Sequence, residues 1–129
     1  HIEGILVQRM EQGLAEVLVG YRGSSETGPI ITLALGGTLA EIYNDASVRL
    51  APVNKASALE MIEEVKGLAP IRGYRGMPKG DLEALAEAIV NLSALAASSK
   101  ISEAEINPLI VKGEGEGVVA VDGLIILYN

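Results

Sequence analysis

The stretch Lys112-Gly113-Glu114-Gly115-Glu116-Gly117, polar and with glycine at every second position, restricts this chain more than any other. Apolar runs flank it, Glu105-Ile106-Asn107-Pro108-Leu109 before and Val119-Ala120-Val121-Asp122-Gly123 after. Apolar run, Gly-rich turn, apolar run is the signature of a β-hairpin. With the turn centred between Glu114 and Gly115, residue 107 faces residue 122, and such cross-strand partners have Cβ atoms roughly 4.5–5.5 Å apart. An amide oxygen and a carboxylate that close can share one hard cation. Mg²⁺ suits them, because it takes oxygen ligands, keeps several waters and needs only one or two protein groups beside substrate phosphates. Glu105, two residues before Asn107, shares its face by strand alternation. A plainer reading stays open, in which Asn107-Pro108 ends a strand and Asp122-Gly123 marks a turn or bulge.

Upstream of this hairpin the chain changes period. Residues 5–9 and 15–22 read as short strands joined at Glu11-Gln12-Gly13, an early hairpin, and residues 29–35 read as a central strand. Gly36-Gly37 breaks that run; it is either a turn or a close backbone approach to a phosphate or cofactor. Weaker strand signals fall at 39–43 and 47–50. A helix is expected from about 55 to 66, with Asn54 as N-cap, Leu59, Ile62 and Val65 at helical spacing, and Gly67 as the stop. Residues 68–78 read as a loop. A second helix follows Asp81 as N-cap, carries Leu82, Leu85, Ala86, Ile89, Leu92 and Ala96 on one stripe, and reaches Ser98. Strands, then helices, then a strand pair predict an α+β two-layer sandwich over residues 1–129, a mostly antiparallel sheet with helices on one face.

Composition narrows the chemistry. Phe, Trp and Cys are absent and the lone histidine is His1, so thiolate–imidazole zinc sites have no ligands. Net charge is −7, which opposes nucleic acid and anionic membranes, and four Tyr give little base-stacking surface. No run nears the roughly 18 apolar residues of a membrane span, and Gly4-Ile5-Leu6-Val7 lacks the basic flank of a signal peptide. A cytoplasmic setting is expected. The start at His1-Ile2-Glu3-Gly4, without Met, reads as a fragment or processed chain. Arg22, Arg49, Arg72 and Arg75 are candidates for phosphate or partner contacts, Arg49 foremost. Glu60, Glu63 and Glu64 read as an exposed helix face.

Taken in order, Val7-Gln8-Arg9-Met10, Gly28-Pro29, Leu35-Gly36-Gly37, Glu41, Arg49-Leu50-Ala51-Pro52, Gly73-Tyr74-Arg75-Gly76, Glu105-Ile106-Asn107-Pro108-Leu109 and Ala120-Val121-Asp122 resemble a known family. It is that of the NDP-forming acyl-CoA synthetases, relatives of the succinyl-CoA ligase β subunit. The likeness spans nearly the whole chain and corresponds to the carboxy-terminal half of their ATP-grasp domain. It implies a ligase module that moves a phosphoryl group between nucleotide and a phosphohistidine, within a reaction interconverting acyl-CoA, ADP and phosphate with acid, ATP and CoA. Asn107 and Asp122 match the family's Mg²⁺ ligands. Glu105 matches the Glu that steadies the phosphohistidine, and Val7-Gln8-Arg9-Met10 the hinge that pairs with adenine; Arg49 is expected as a nucleotide contact on its fork geometry alone. Mg²⁺ and ATP or ADP are the implied cofactors. CoA-binding and phosphohistidine-bearing domains, in the parent chain or a partner subunit, are the implied partners.

Two departures cut against a straightforward carry-over. Where the family has Arg-Asp-x-x-Phe-Gly, this chain has Arg22-Gly23-Ser24-Ser25-Glu26-Thr27-Gly28. Where it has Val-Asp-Ala-Arg, this chain has Val121-Asp122-Gly123-Leu124. The resemblance therefore also admits a regulatory, synthetase-like domain of the kind attached to protein acetyltransferases. A scaffold that forms a homo-oligomer through its apolar sheet face is a third reading. Nucleotide in this architecture is gripped between two halves, so the chain alone is expected to be inactive.

Overall fold

The structure, a computed structural model, describes residues 13–23, 26–36, 45–73 and 75–129. The expected strands at 5–9 and 39–43, the early hairpin and the Val7–Met10 hinge lie outside these residues.

Strand β1 (Ala15–Arg22) follows from strict alternation: Val17, Val19 and Tyr21 are buried, while Glu16, Leu18, Gly20 and Arg22 point the other way. β2 (Ile30–Leu35) buries Ile31 and Leu33 by the same rule, and β3 (Ala46–Leu50) buries Ser47. Two helices come next, α1 (Lys55–Glu64) and α2 (Leu82–Ser93). β4 (Ile101–Val111), β5 (Val118–Ala120) and β6 (Gly123–Leu127) complete a six-stranded sheet in the order β3-β2-β1-β4-β5. Every pairing is antiparallel, and β6 lies beside β4 in line with β5, so two short strands share one edge. This is the predicted α+β sandwich.

Both helices begin where the sequence places them. Asn54 Oδ1 accepts from Ser57 N at 2.8 Å and Asp81 Oδ1 from Ala84 N at 3.0 Å, each meeting a backbone donor that the first helical turn leaves free. Ala58, Met61 and Ile62 of α1 and Leu85, Ala86 and Ile89 of α2 meet Val17, Val19, Ile31 and Leu33 in one aliphatic core. Each larger side chain fully buried there contributes about 1.5–3 kcal/mol. α1 stops at Glu64 rather than near 66, and Lys66–Ile71 tighten into a 3₁₀ turn that runs from the expected helix end into the loop expected from 68. Asp45 explains the early stop: its carboxylate takes the N–H groups of Lys66 and Gly67 at 2.8 and 2.7 Å. Beyond α2 a 3₁₀ turn carries the helical path to Ala97, close to the expected end. Among the described residues no helix is long and apolar enough to cross a membrane.

The last strands follow the hairpin reading, at about 104–112 and 117–127, rather than the plainer one. β4 does not end at Asn107-Pro108 but runs through it. Val17 pairs with Leu109 and Val19 with Ile106, so Asn107 and Pro108 together oppose Leu18 in a β-bulge. A proline lacks the ladder donor, and a bulge is where a sheet tolerates one. The bulge also shifts the inward phase of β4 from Ala104 and Ile106 to Leu109 and Val111. The break instead falls across the hairpin, where Val121-Asp122 separates β5 from β6.

Candidate functional site

Helices cover one face of the sheet; among the described residues no helix covers the other, the open face, and the register writes its residues out in rows. Leu50, Ile30, Arg22, Glu103 and Ile126 cross it in one row, and Val48, Thr32, Gly20, Glu105 and Leu124 in the next. In the third row Leu18 meets the bulge, with Asp122 beyond Asn107.

Asn107 and Asp122 come together as the turn geometry predicts. The pairings Val111–Val118, Ile110–Val119 and Leu109–Ala120 on one side, and Ile106–Gly123 and Glu105–Leu124 on the other, hold one continuous register through residues 107 and 122. Asn107 N donates to Asp122 O at 3.1 Å, and Val121 N to Pro108 O at 3.0 Å. Both side chains are exposed, so water can complete a coordination shell. Asp122 Oδ1 accepts from Gly123 N at 2.8 Å, which orients the carboxylate and leaves its second oxygen available. Hard amide and carboxylate oxygens of this kind fit Mg²⁺. Among the described residues no cluster of three or more acidic, imidazole or thiol side chains could hold a metal, so a cation here would complete its shell from beyond those residues.

Glu105 lies one row over, half-buried, and lines a cleft of about 320 Å³ together with Leu18, Gly20, Arg22, Thr32 and Glu103. Gly20 makes this cleft: opposite both Thr32 and Glu105, it contributes no side chain, and the middle of its row is hollow. Arg22 Nε approaches Glu103 Oε1 at 3.4 Å along the rim. Such an exposed pair is worth at most about 1 kcal/mol, so the guanidinium can turn to another anion at little cost. Sequence spacing singles out neither Gly20 nor Glu103, since their partnership exists only once the β1–β4 register is known.

The arginine ranking changes. Arg49 pairs with Ile31, whose side chain faces the helices, so Arg49 lies on the far side of the sheet from Glu105, Asn107 and Asp122. There it grips Glu64 of α1 with both guanidinium nitrogens, NH1 to Oε1 at 2.9 Å, and Ser47 Oγ donates to the same Oε1 at 2.6 Å. Arg49 foremost, then Ser47, holds the Glu64 carboxyl down at about 2 from an ordinary 4.5. Glu64 is thus more than part of an exposed helix face: it ties β3 to α1. Arg72 is also structural, donating to the carbonyls of Ile62 and Val65 at 3.1 and 3.0 Å and so closing the end of α1. Arg75 stands in a turn at φ +33°. Of Arg22, Arg49 and Arg72, only Arg22 reaches the open face. Gly36 packs on β1, donating to Glu16 O at 2.8 Å, and a Cβ there would lie 3.0 Å from that oxygen.

The sequence model of the ATP-grasp domain family matches residues 1–127. Acetate–CoA ligase [ADP-forming] I subunit beta of Pyrococcus furiosus is 38% identical over 125 residues, 96% of this chain and 53% of that one. Acetate–CoA ligase [ADP-forming] I of Archaeoglobus fulgidus is 37% identical over 119 residues, 92% of this chain and 17% of that one. The chain therefore spans about half the length of the β-subunit relatives and under a fifth of the Archaeoglobus fulgidus one. Among solved structures, the dinucleotide-forming acetyl-coenzyme A synthetase 1 of Ca. Korarchaeum cryptofilum superposes with a TM-score of 0.82 at 32% identity, covering 92% of this chain and 55% of that one. That protein was solved with coenzyme A and Mg-AMPPCP, its phosphohistidine segment pointing towards the nucleotide binding site. A crystal structure from Pyrococcus horikoshii superposes with a TM-score of 0.83 at 32% identity, over 92% of this chain and 51% of that one.

Proposed function

We propose, since the chain belongs to the ATP-grasp domain family and its relatives are ADP-forming acyl-CoA ligases, that it supplies one half of the nucleotide site of such a ligase. The observation that carries this reading is the uninterrupted register that sets Asn107 opposite Asp122, beside the cleft holding Glu105. Asn107 and Asp122 would hold Mg²⁺ against the nucleotide phosphates. Bound there, the cation neutralises phosphate charge, which phosphoryl transfer needs more than covalent help from the protein. Glu105 is set to hydrogen-bond an imidazole entering over Gly20, fixing its tautomer and orientation. Arg22 is the nearby cation free to turn toward phosphate. Val7, Gln8, Arg9 and Met10 would offer backbone to the adenine edge. Arg49 is left out of the nucleotide site, because it faces the helices.

Activity belongs to the intact ligase. An acyl-CoA synthesis assay on that protein tests the reading: Asn107→Ala and Asp122→Ala should each lower kcat/KM at least about tenfold at limiting Mg²⁺, the loss shrinking as Mg²⁺ rises. Wild-type kinetics and Mg²⁺ dependence in both variants would rule out the metal assignment. The 129-residue chain alone should form no acyl-CoA.

A further inference from the structure

We propose that Asp81 is a positioning residue, whose carboxylate sets the register of the β4–β5 hairpin and thereby holds Asp122 opposite Asn107. This rests on reading that pair as the metal–nucleotide contact. Asp81 lies far from the pair: Gly117, which it touches, is five residues from Asp122, roughly 17 Å of extended strand.

The need for such a device comes from β6. In most half-buried strands the burial pattern fixes register, because a slip by one residue turns every apolar side chain outward. β6 has no such protection. Leu124, Ile125, Ile126 and Leu127 are all apolar and all exposed, at 55%, 62%, 42% and 60%. Sliding this strand by one residue exchanges one exposed aliphatic side chain for another at little cost. The same slip would carry the Asp122 carboxylate to the opposite face of the sheet. β5 has only three residues, half-buried at Val118 and Val119 and exposed at Ala120, and adds little. Register must therefore be imposed from the turn.

The turn is held by a segment outside the sheet. Lys79, Gly80 and Asp81 lie against it: Glu114 N donates to Lys79 O at 2.9 Å, Asp81 N to Lys112 O at 2.8 Å, and Gly80 bridges Gly113. These backbone bonds bring the segment alongside. The side-chain lock is Asp81, which accepts from Ala84 N with Oδ1 at 3.0 Å and from Gly117 N with Oδ2 at 2.8 Å. One carboxylate thus starts α2 and grips the residue where the hairpin re-enters the sheet. Gly117 stands at φ +85°, a conformation that glycine adopts freely, and its carbonyl accepts from Lys112 N at 3.1 Å to close the turn. The N–H of Ala84 first, then that of Gly117, holds the Asp81 carboxyl below the usual carboxylate range, so both bonds persist in ordinary buffers. Since α2 is anchored in the core through Leu85, Ala86 and Ile89, the lock refers the exposed edge of the sheet to the buried layer beneath it.

Asp81→Ser separates the two bonds. Serine caps a helix about as well as aspartate, but its single short side-chain oxygen cannot also serve Gly117. Amide hydrogen exchange on the protein reads the effect. Asn107 N–H and Val121 N–H, which bond across the hairpin, should exchange about tenfold faster or more in Asp81→Ser, while Leu85 N–H, bonded to Asp81 O at 3.1 Å, keeps its rate. Mn²⁺, used as a paramagnetic probe, should broaden the amides of Asn107 and Asp122 in the starting protein, and at equal concentration do so at least fivefold less in the variant. Unchanged protection at Asn107 and Val121, or acceleration spread equally over Leu85, overturns the positioning role. Selective acceleration in a protein whose wild-type form shows no Mn²⁺ broadening leaves the register role standing and removes the metal reading alone.

Discussion

The two edges of this sheet are secured by the same kind of device and used for different ends. At the β3 edge, Arg49 and Ser47 reach Glu64 of α1, and the Asp45 carboxylate caps the 3₁₀ turn at Lys66 and Gly67. At the β5–β6 edge, Asp81 at the start of α2 reaches the turn at Gly117. In both places a carboxylate joins the helical layer to a strand or turn that its own apolar pattern fastens weakly. Yet the β3 device faces the helices and pairs its charges with one another, whereas the β6 device leaves Asn107 and Asp122 exposed and Glu105 on the wall of the cleft. Charge that is satisfied within the fold is structural. Oxygen ligands that are oriented but still open to a cation are the ones suited to chemistry.

The largest effect should come from removing what both edges depend on. Leu33→Ala, at a fully buried position between the sheet and the helices, should cost about 2–5 kcal/mol by urea denaturation and weaken both edges together. A loss well under 1 kcal/mol would mean that the edges stand without the common core.

Acidification should separate the edges next. The Glu64 carboxyl is lowered from 4.5 to about 2 by Arg49 and Ser47, so its contribution is fully present above about 4.5 and is lost as pH falls through about 2. The difference in urea midpoint between wild type and Glu64→Gln should therefore be constant from pH 5 to neutrality and close on descent below roughly pH 4.5. Glu64 is about half exposed, so solvent limits its size. A gap that grows on acidification would contradict the Arg49–Glu64 tie.

The smallest effect belongs to β6. Leu124→Lys and Ile126→Lys, on side chains 55% and 42% exposed, should shift stability by no more than about 0.5 kcal/mol in denaturation experiments. A larger loss would show that burial does secure this strand, weakening the case for a lock at Asp81.

Much of this contrast was legible in the residues themselves. Alternation in Ala15-Glu16-Val17-Leu18-Val19-Gly20-Tyr21-Arg22 marks β1 to its ends, and Asn54 and Asp81 mark both helix starts, because these signals are local. The 107–122 pairing was equally legible, since a hairpin's register follows from its turn. Other features depend on partners distant in the chain. The bulge at Asn107-Pro108 is defined by β1, which spends one residue, Leu18, where β4 spends two. The face of Arg49 follows from the β2–β3 register, and nothing within Arg49-Leu50-Ala51-Pro52 reveals it. Gly20 looks like an interruption of β1 until Thr32 and Glu105 are set on either side of it. Asp81 was visible as a cap, but its second oxygen was not, because Gly117 lies 36 residues away.

Calorimetric titration of Mg-ADP into the intact ligase, comparing Asp122→Ala with Arg49→Ala, sets the two edges against each other most directly. Asp122→Ala should weaken binding at least about tenfold, while Arg49→Ala, read below its unfolding temperature, should bind like the wild type. Wild-type affinity in Asp122→Ala together with lost binding in Arg49→Ala would place the nucleotide contact at the other edge of the sheet.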